Sequence, residues 1–544
     1  MTEITHKEVA LRLEQLTELS LQLSSQRDIS VLLEDILRAA KRMTHADGGT
    51  LYRISDDKTS LAFYISMNDS LGMYQGGASG HAIDIPDIPL FTGNGDRNMH
   101  AVAAYVANTG TSVNIPDVYR TDAFNFSGML RFDNQYNYHS QSFLTVPMKD
   151  HEGELLGVLQ LINAKNTRTG RTQPFTDTDQ RLIEALASQA AIALTNRELI
   201  ARLEDLFVSF VKLINIGIDE KSPHTGRHCE HVPELTMMLA EAVHQTTAGP
   251  LAAFTMDENE RKQLWLAGLL HDCGKITTPV HVVEKATKLE TIVDRIHTVD
   301  TRFELLKRDA QIRALKEKYE SGERDLRRDE EIEHRLRQRL ARLDEERDFL
   351  RRANIGSEGM SPEDQQRVIE IARHYRWIGP DGVERDLLDE EEIANLTIRA
   401  GTLNPQERQI INNHISVTIR MLESLRWPKH LQNVPEYAGG HHERMDGQGY
   451  PRGLRGDQMS VQARIMAIAD IFEALTAKDR PYKKGKSLSE SLRILGNFRM
   501  RNHIDPDLFD IFIREKVYLD YAKRFMDPAQ IDEVDEASIP GYVR

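Results

Sequence analysis

The sequence predicts a multidomain chain: an α+β domain, with an antiparallel sheet and flanking helices, followed by an all-α domain that carries a helical-hairpin insertion. Three observations lead there. Short β-branched and aromatic runs, paired across turn residues, occupy the first third. Helical periodicity takes over near Leu182 and scarcely stops. The 544 residues exceed what one ordinary core holds, so two or three domains are expected.

Residues 8 to 43 read as helical, with Leu11, Leu16, Leu19 and Leu23 at helical spacing and Asp28 as a cap before Val31, Leu32 and Ile36. GGTLYRI (48–54) and LAFYISM (61–67) form a hairpin signal around Asp56, Asp57 and Lys58. SFLTVPMKD (142–150) and LLGVLQLINA (155–164) form a second, turning at His151, Glu152 and Gly153, and residues 176–200 are helical again. This order, together with Pro147, LLGVLQL and PFTDTDQRLIEALASQAAIAL, resembles the GAF sensory domain over residues 10–198. Cyclic-nucleotide-binding members carry an Asn-Lys pair, then Phe, then an Asp-Glu pair. Here Asn163, Lys165, Phe175 and Asp179 match, but Ala164 splits the first pair and Gln180 replaces the Glu. The GAF ligand stays open between a cyclic nucleotide, another molecule and none.

Composition narrows the function classes. A formal net charge of −15 argues against loose binding to nucleic acid or to an anionic membrane. The two cysteines, Cys229 and Cys273, form no CxxC pair, so a reducing compartment is expected. The N-terminus lacks an apolar signal core and no run is long enough to span a bilayer, which makes a cytoplasmic location the expectation.

Residues 182–219 form a connecting helix in which Leu199, Leu203, Leu206, Phe210 and Leu213 alternate spacings of four and three. Two readings fit that seam: a parallel homodimer that passes the sensor's state onward, or packing on the chain's own domain.

The second half concentrates metal-ligand chemistry. HDCGK sets His271 beside Asp272, three residues before Lys275, and HHERMDGQGYP sets His441 beside His442 ahead of a glycine-rich loop ending in Gly449, Tyr450 and Pro451. Imidazole and carboxylate are the usual ligands for Fe, Mn or Zn. Glu220 and His224 are four apart, so on one helix they share a face. His228 and His231 fall on other faces and read as solvent-facing or supporting residues. His414 sits on a capped helix, and Asp470 lies in an apolar helix where an unpaired carboxylate is costly.

PHTGRH, LLHDCGK, the GTL-to-His414 helix, HHERMDGQGYP, ARIMAIAD and RPYKK occur in the order found in the HD-GYP branch of the HD phosphohydrolases, which residues 212–520 resemble. The resemblance implies two or three divalent ions, of the Fe or Mn type, that activate hydroxide. It implies cleavage of cyclic di-GMP to pGpG and, in some members, on to GMP. Carried across, the ligands are His224, His271, Asp272, His414, His441, His442 and Asp470, with Glu220 for a third ion. Asp272 and Lys275 are the catalytic assignments. Lys275, Arg480 and Lys483 bind substrate, and Gly449, Tyr450 and Pro451 shape a loop that could meet a diguanylate cyclase. Another cyclic dinucleotide or nucleotide, and a non-catalytic docking scaffold, are the alternatives.

The family pattern is interrupted at residues 290–398 by charged helices carrying Phe303, Leu306, Ile312, Leu315 and Tyr319, then Ile332, Leu336, Leu340, Leu343 and Leu350, separated by Ser321 and Gly322. These read as an antiparallel hairpin, followed by a short hairpin loop at RWIGPDGVERDL. His297 falls in this insert, and the leucine-to-histidine spacing favours His414 as the ligand. Residues 521–544 read as a C-terminal tail.

Overall fold

The computed structural model describes residues 28–221, 226–320, 326–356, 359–477 and 485–542. The chain forms two compact units that divide between Phe207 and Val208. One helix, Asp177–Lys221, begins in the first and ends in the second.

In the first unit both expected hairpins form: Ala46–Ile54 with Ser60–Asn68, and Phe143–Lys149 with Leu155–Lys165. Their turns use left-handed backbone at Lys58 and Gly153. Strands Met73–Gly76, Ser60–Asn68, Ala46–Ile54, Leu155–Lys165, Phe143–Lys149 and Val113–Ile115 lie side by side in that order, each antiparallel to its neighbours. One sheet face buries Leu51, Leu159 and Leu161 with Leu33 and Ile36 of the Ile29–Thr44 helix and Ile183 and Leu186 of the long helix. The other buries Tyr52, Leu61 and Val158 with Ala103 and Val106 of the Val102–Thr109 helix. Asp28 caps the first helix, accepting from the Ser30 and Val31 amides. Leu11, Leu16, Leu19 and Leu23 lie outside the described residues.

The polar residues of the cyclic-nucleotide pattern work inside the fold. Asn163, with a positive φ, accepts from the Gln141 and Ser142 amides and donates to the His139 carbonyl. Lys165 pairs with buried Asp47, and Asp179 accepts from the Thr176 amide and hydroxyl.

In the second unit, the insert contains helices Ile296–Tyr319 and Leu326–Asn354. Ion pairs Asp300–Arg351, Lys307–Asp344 and Lys318–Glu333 hold the two in antiparallel register. Beyond the hairpin the insert adds helix Pro362–His374, a ribbon of Arg376–Ile378 with Glu384–Asp386, and helix Glu390–Leu396. These bury a core of their own, including Phe303, Leu306, Leu350, Val368, Ile371, Leu387 and Leu396. The insert leaves and rejoins the unit at one place. The Thr402 hydroxyl donates to the Lys285 carbonyl at 2.9 Å, and Lys285 Nζ sits 2.8 Å from both oxygens of Glu407.

The segment expected to be a tail is stitched down. Tyr521 and Phe525 belong to helix Val517–Phe525, and Tyr521 is buried. Gln530 Nε2 donates to the carbonyls of Thr476 and Lys486 at 3.0 and 2.9 Å, and Asp532 accepts from the Ser489 amide. Among the described residues no helix is long and apolar enough to cross a membrane.

Candidate metal centre

The site is built at helix ends. Helix Glu258–Leu270 starts at a capping box between Asp257 and Glu260, buries Leu264, Leu266 and Leu270, and ends immediately before His271. The chain then turns through Asp272 and Gly274. A Cβ on Gly274 would lie 2.0 Å from the His414 carbonyl oxygen and 2.7 Å from the Thr418 amide, so only glycine lets this turn rest on helix His414–Glu423. The Gly274 amide donates to the Thr418 hydroxyl at 2.9 Å. This contact brings Asp272 beside His414. Gly274→Ala is expected to destabilise the protein by about 1–3 kcal/mol through overpacking and to weaken metal retention with it. Denaturant unfolding and metal analysis of the purified variant check both.

Asp272 stands between two sets of side chains. His228, His271 and Asp272 make one group, and Asp272, His414, His441 and His442 make the other; within each group the ligand atoms lie within 4.8 Å of one another. Asp272 Oδ2 is 3.2 Å from His228 Nε2 and 3.3 Å from His271 Nε2, while Oδ1 is 3.2 Å from His414 Nε2. Asp470 Oδ1 closes the first group, 3.2 Å from His228 Nε2 and 3.8 Å from His271 Nε2. His442 Nε2 lies 3.2 Å from His414 Nε2 in the second.

The imidazoles are oriented by one repeated device. His271, His414 and His441 each direct Nδ1 to the backbone carbonyl three residues upstream, at Gly268, Ile411 and Ala438. Donation there fixes the ring orientation and turns Nε2, the atom that would ligate once unprotonated, toward the centre. His441 Nε2 is buried with no hydrogen-bond partner, and Asp272 Oδ1 has no aligned hydrogen bond despite its histidine neighbour. Buried polar atoms are rarely left so, and a bound cation satisfies both at once.

The electrostatics agree. Burial penalises both carboxylates, but Lys275 and the facing imidazoles outweigh it and hold Asp272 well below the usual carboxylate range. His228 and His271 do the same for Asp470. Burial also pulls His271 down, yet the adjoining Asp272 reverses this and raises its pKa to about 9. His441 and His442 are pushed down by burial, His442 to about 4, so both are neutral and ready to ligate at pH 7. Burial lifts the Cys273 thiol to about 11, which makes it inert.

Comparisons with known proteins give the same division. A GAF domain family matches residues 28–194, and HD domain families match residues 225–365 and 390–508. The chain joins a GAF domain to an HD region. Such a region holding this cluster binds divalent metal. The chain is 40% identical over 124 residues to 3'3'-cGAMP-specific phosphodiesterase 1 of Vibrio cholerae, covering 23% of this chain and 27% of that one. It is 32% identical over 160 residues to a cyclic di-GMP phosphodiesterase of Thermotoga maritima, covering 29% and 40%. It is 32% identical over 205 residues to the cyclic di-GMP phosphodiesterase response regulator RpfG of Xanthomonas campestris, covering 35% and 50%. The chain therefore spans half or less of these relatives' own length.

The HD region brings together His271, Asp272, His414, His441, His442 and Asp470 of the expected set. Lys275 joins them, its Nζ 2.5 Å from Asp272 Oδ2. Glu220 is exposed and stands in neither group. His224, Arg480 and Lys483 lie outside the described residues, and His297 is a surface residue of the insert. Of the two expectations for His228, solvent-facing or supporting, the structure rules out the first: its side chain is largely buried in the cluster. The signal was present: the buried stripe Val232, Leu235, Leu239 and Val243 of helix Gly226–His244, extended one turn upstream, reaches residue 228.

The glycine-rich loop is fixed by buried Glu443, whose carboxylate oxygens accept from the Arg452 and Leu454 amides at 2.8 Å each. A Cβ on Gly449 would lie 2.5 Å from the Arg444 nitrogen, so the loop can fold back on its own start only with glycine there. That closeness stacks the Tyr450 ring on His442, with centroids 4.8 Å apart, while Pro451 follows at the exposed edge.

Proposed function

We propose that the chain is a metal-dependent cyclic di-GMP phosphodiesterase, regulated by its GAF domain, that hydrolyses the messenger to pGpG. The observation that carries this reading is the paired ligand groups sharing Asp272, with every Nε2 turned inward. Residues 212–520 are assigned as the catalytic domain, with 290–398 as an insertion in it. Two ions fit the two groups, and Fe or Mn suits a set of imidazoles and carboxylates. His228, not His224, is assigned as a ligand with Asp272, His271 and Asp470; His414, His441 and His442 complete the second position. Glu220 and His224 are left for a third ion.

When bound, such ions make hydroxide available near neutral pH and withdraw charge from a phosphoryl oxygen. The chain's own residues do the rest. Asp272 ties the two positions together. Lys275 is kept protonated by Asp272, which outweighs the opposing effect of burial, and is placed to neutralise a non-bridging phosphate oxygen. Arg480 and Lys483 are assigned to the second phosphate or a guanine. Gly449 and Tyr450 shape the loop, and Pro451 at its exposed edge is the position assigned to contact with a diguanylate cyclase. A second reading, hydrolysis of another cyclic dinucleotide, is favoured by the 40% identity to a protein named for 3'3'-cGAMP. Turnover of both dinucleotides by the same metal-loaded preparation tests the substrate: cyclic di-GMP is expected to give the higher kcat/KM, and preference for cGAMP would replace it.

The connecting helix supports a homodimer. Leu199, Leu203, Leu206, Phe210 and Leu213 are between 47 and 64% exposed on the helix Asp177–Lys221, which leaves the seam open for a second copy. Leu206→Glu combined with Phe210→Glu is expected to give monomers under conditions where the unaltered chain is dimeric by light scattering; an unaltered chain that is itself monomeric contradicts the assignment. The location proposed is the cytoplasm.

A further inference from the structure

Behind the cluster lies a carboxylate that belongs to neither ligand group. Glu473 follows Asp470 by three residues on helix Val461–Thr476, so the two side chains leave the same face. Its side chain is 3% exposed. One oxygen accepts from His228 Nδ1, and the other lies 3.9 Å from His231 Nδ1. His228 thus bridges Glu473 on one nitrogen and the Asp272 and Asp470 carboxylates on the other. His271, His414 and His441 use a neutral backbone carbonyl for this purpose. His228 uses an ionisable group, which makes a stronger hydrogen bond and a more basic ligand.

Glu473 is itself held from behind. Its neighbour Phe472 packs on Tyr521, with ring centroids 5.9 Å apart, and the His231 ring lies 4.8 Å from Phe525. Tyr521 and Phe525 come from helix Val517–Phe525. The order of contacts is Phe525, His231, Glu473, His228, Asp272. It leads from the C-terminal helix to the carboxylate shared by both ligand groups.

We propose that Glu473 is the positioning residue for His228, and that helix Val517–Phe525 is the support that keeps Glu473 in place. The inference rests on the reading of the cluster as a metal centre. It adds that the strength of the His228 position is set from outside that centre, by a residue that touches neither metal nor substrate.

The test is Mn(II) binding to metal-stripped full-length protein, by calorimetry, for the unaltered chain, Glu473→Gln, His228→Ala and the double variant. Glu473→Gln keeps the shape but removes the charge. It is expected to unfold at the same temperature without metal and to bind Mn(II) about 10–100-fold more weakly. In the His228→Ala background the same change is expected to cost less than about twofold, because its effect runs through that ring. Equal affinity of Glu473→Gln and the unaltered chain overturns the inference, as does a full, multiplying loss in the double variant. If Glu473→Gln does not fold, Phe525→Ala carries the test. It loosens the support and is expected to weaken Mn(II) binding several-fold, and unchanged affinity overturns the proposal. An unaltered chain that binds neither Mn(II) nor Fe(II) overturns the metal reading itself, a separate result.

Discussion

Asp272→Ala is expected to lower kcat/KM by at least about 10³-fold, equivalent to about 4 kcal/mol of transition-state stabilisation. It should also reduce the metal retained by the purified protein. Asp272 is the one carboxylate common to both ligand groups. Its loss also frees Lys275, whose Nζ lies 2.5 Å from it, and removes the neutralising charge beside His228 and His271. The Lys275 ammonium is then left beside the site without its counter-charge, which opposes cation binding as well as weakening ligation. Metal analysis and steady-state kinetics on one preparation check the result. A variant that keeps its metal and more than about a tenth of its activity would show that the two groups do not depend on a shared bridge.

Metal affinity is expected to rise steeply with pH up to about pH 9. In the metal-free protein, burial disfavours the charged form of His271, but Asp272 outweighs it and places its pKa at about 9. His228 is held well above its ordinary value by Glu473, Asp272 and Asp470 against the same burial. Both rings therefore carry a proton at pH 7, and ligation through Nε2 must expel it. His441 and His442 are already neutral and release nothing. Binding at pH 7 should therefore release about two protons, and the apparent affinity should rise by up to about 100-fold per pH unit. Calorimetry in buffers of different ionisation enthalpy counts the protons. Linkage gives the opposite trend for the metal-free fold. A histidine whose pKa is raised on folding contributes stability that is full below about pH 6.5. That contribution is lost as pH rises through about 9. Metal-free protein should thus lose stability across the range in which metal binds more tightly.

Local patterns in the sequence were sufficient wherever a short run decides the structure. The two hairpins follow from β-branched and aromatic runs closed by Lys58 and Gly153, which supply the left-handed turns. Spacing favoured His414 over His297, and the structure puts His414 in the cluster and His297 at the surface. Where the reading went astray, the deciding partners were distant. His228 was read as solvent-facing or supporting because Glu220 and His224 share a helical face, whereas its partners, Asp272, Asp470 and Glu473, come from two other segments. The C-terminal residues read as a tail because their anchors are the backbone carbonyls of Thr476 and Lys486, which no side-chain pattern announces. The insert's separate core likewise joins Phe303 to Leu387 and Leu396, too far apart in sequence for periodicity to link them.

Cyclic di-GMP turnover by protein purified anaerobically, loaded with Fe or Mn and with its metal counted, decides the phosphodiesterase assignment. At least two ions per chain, linear pGpG as the first product, and loss of turnover when the metal is stripped are the expected results. Full metal occupancy with no hydrolysis of cyclic di-GMP would contradict it.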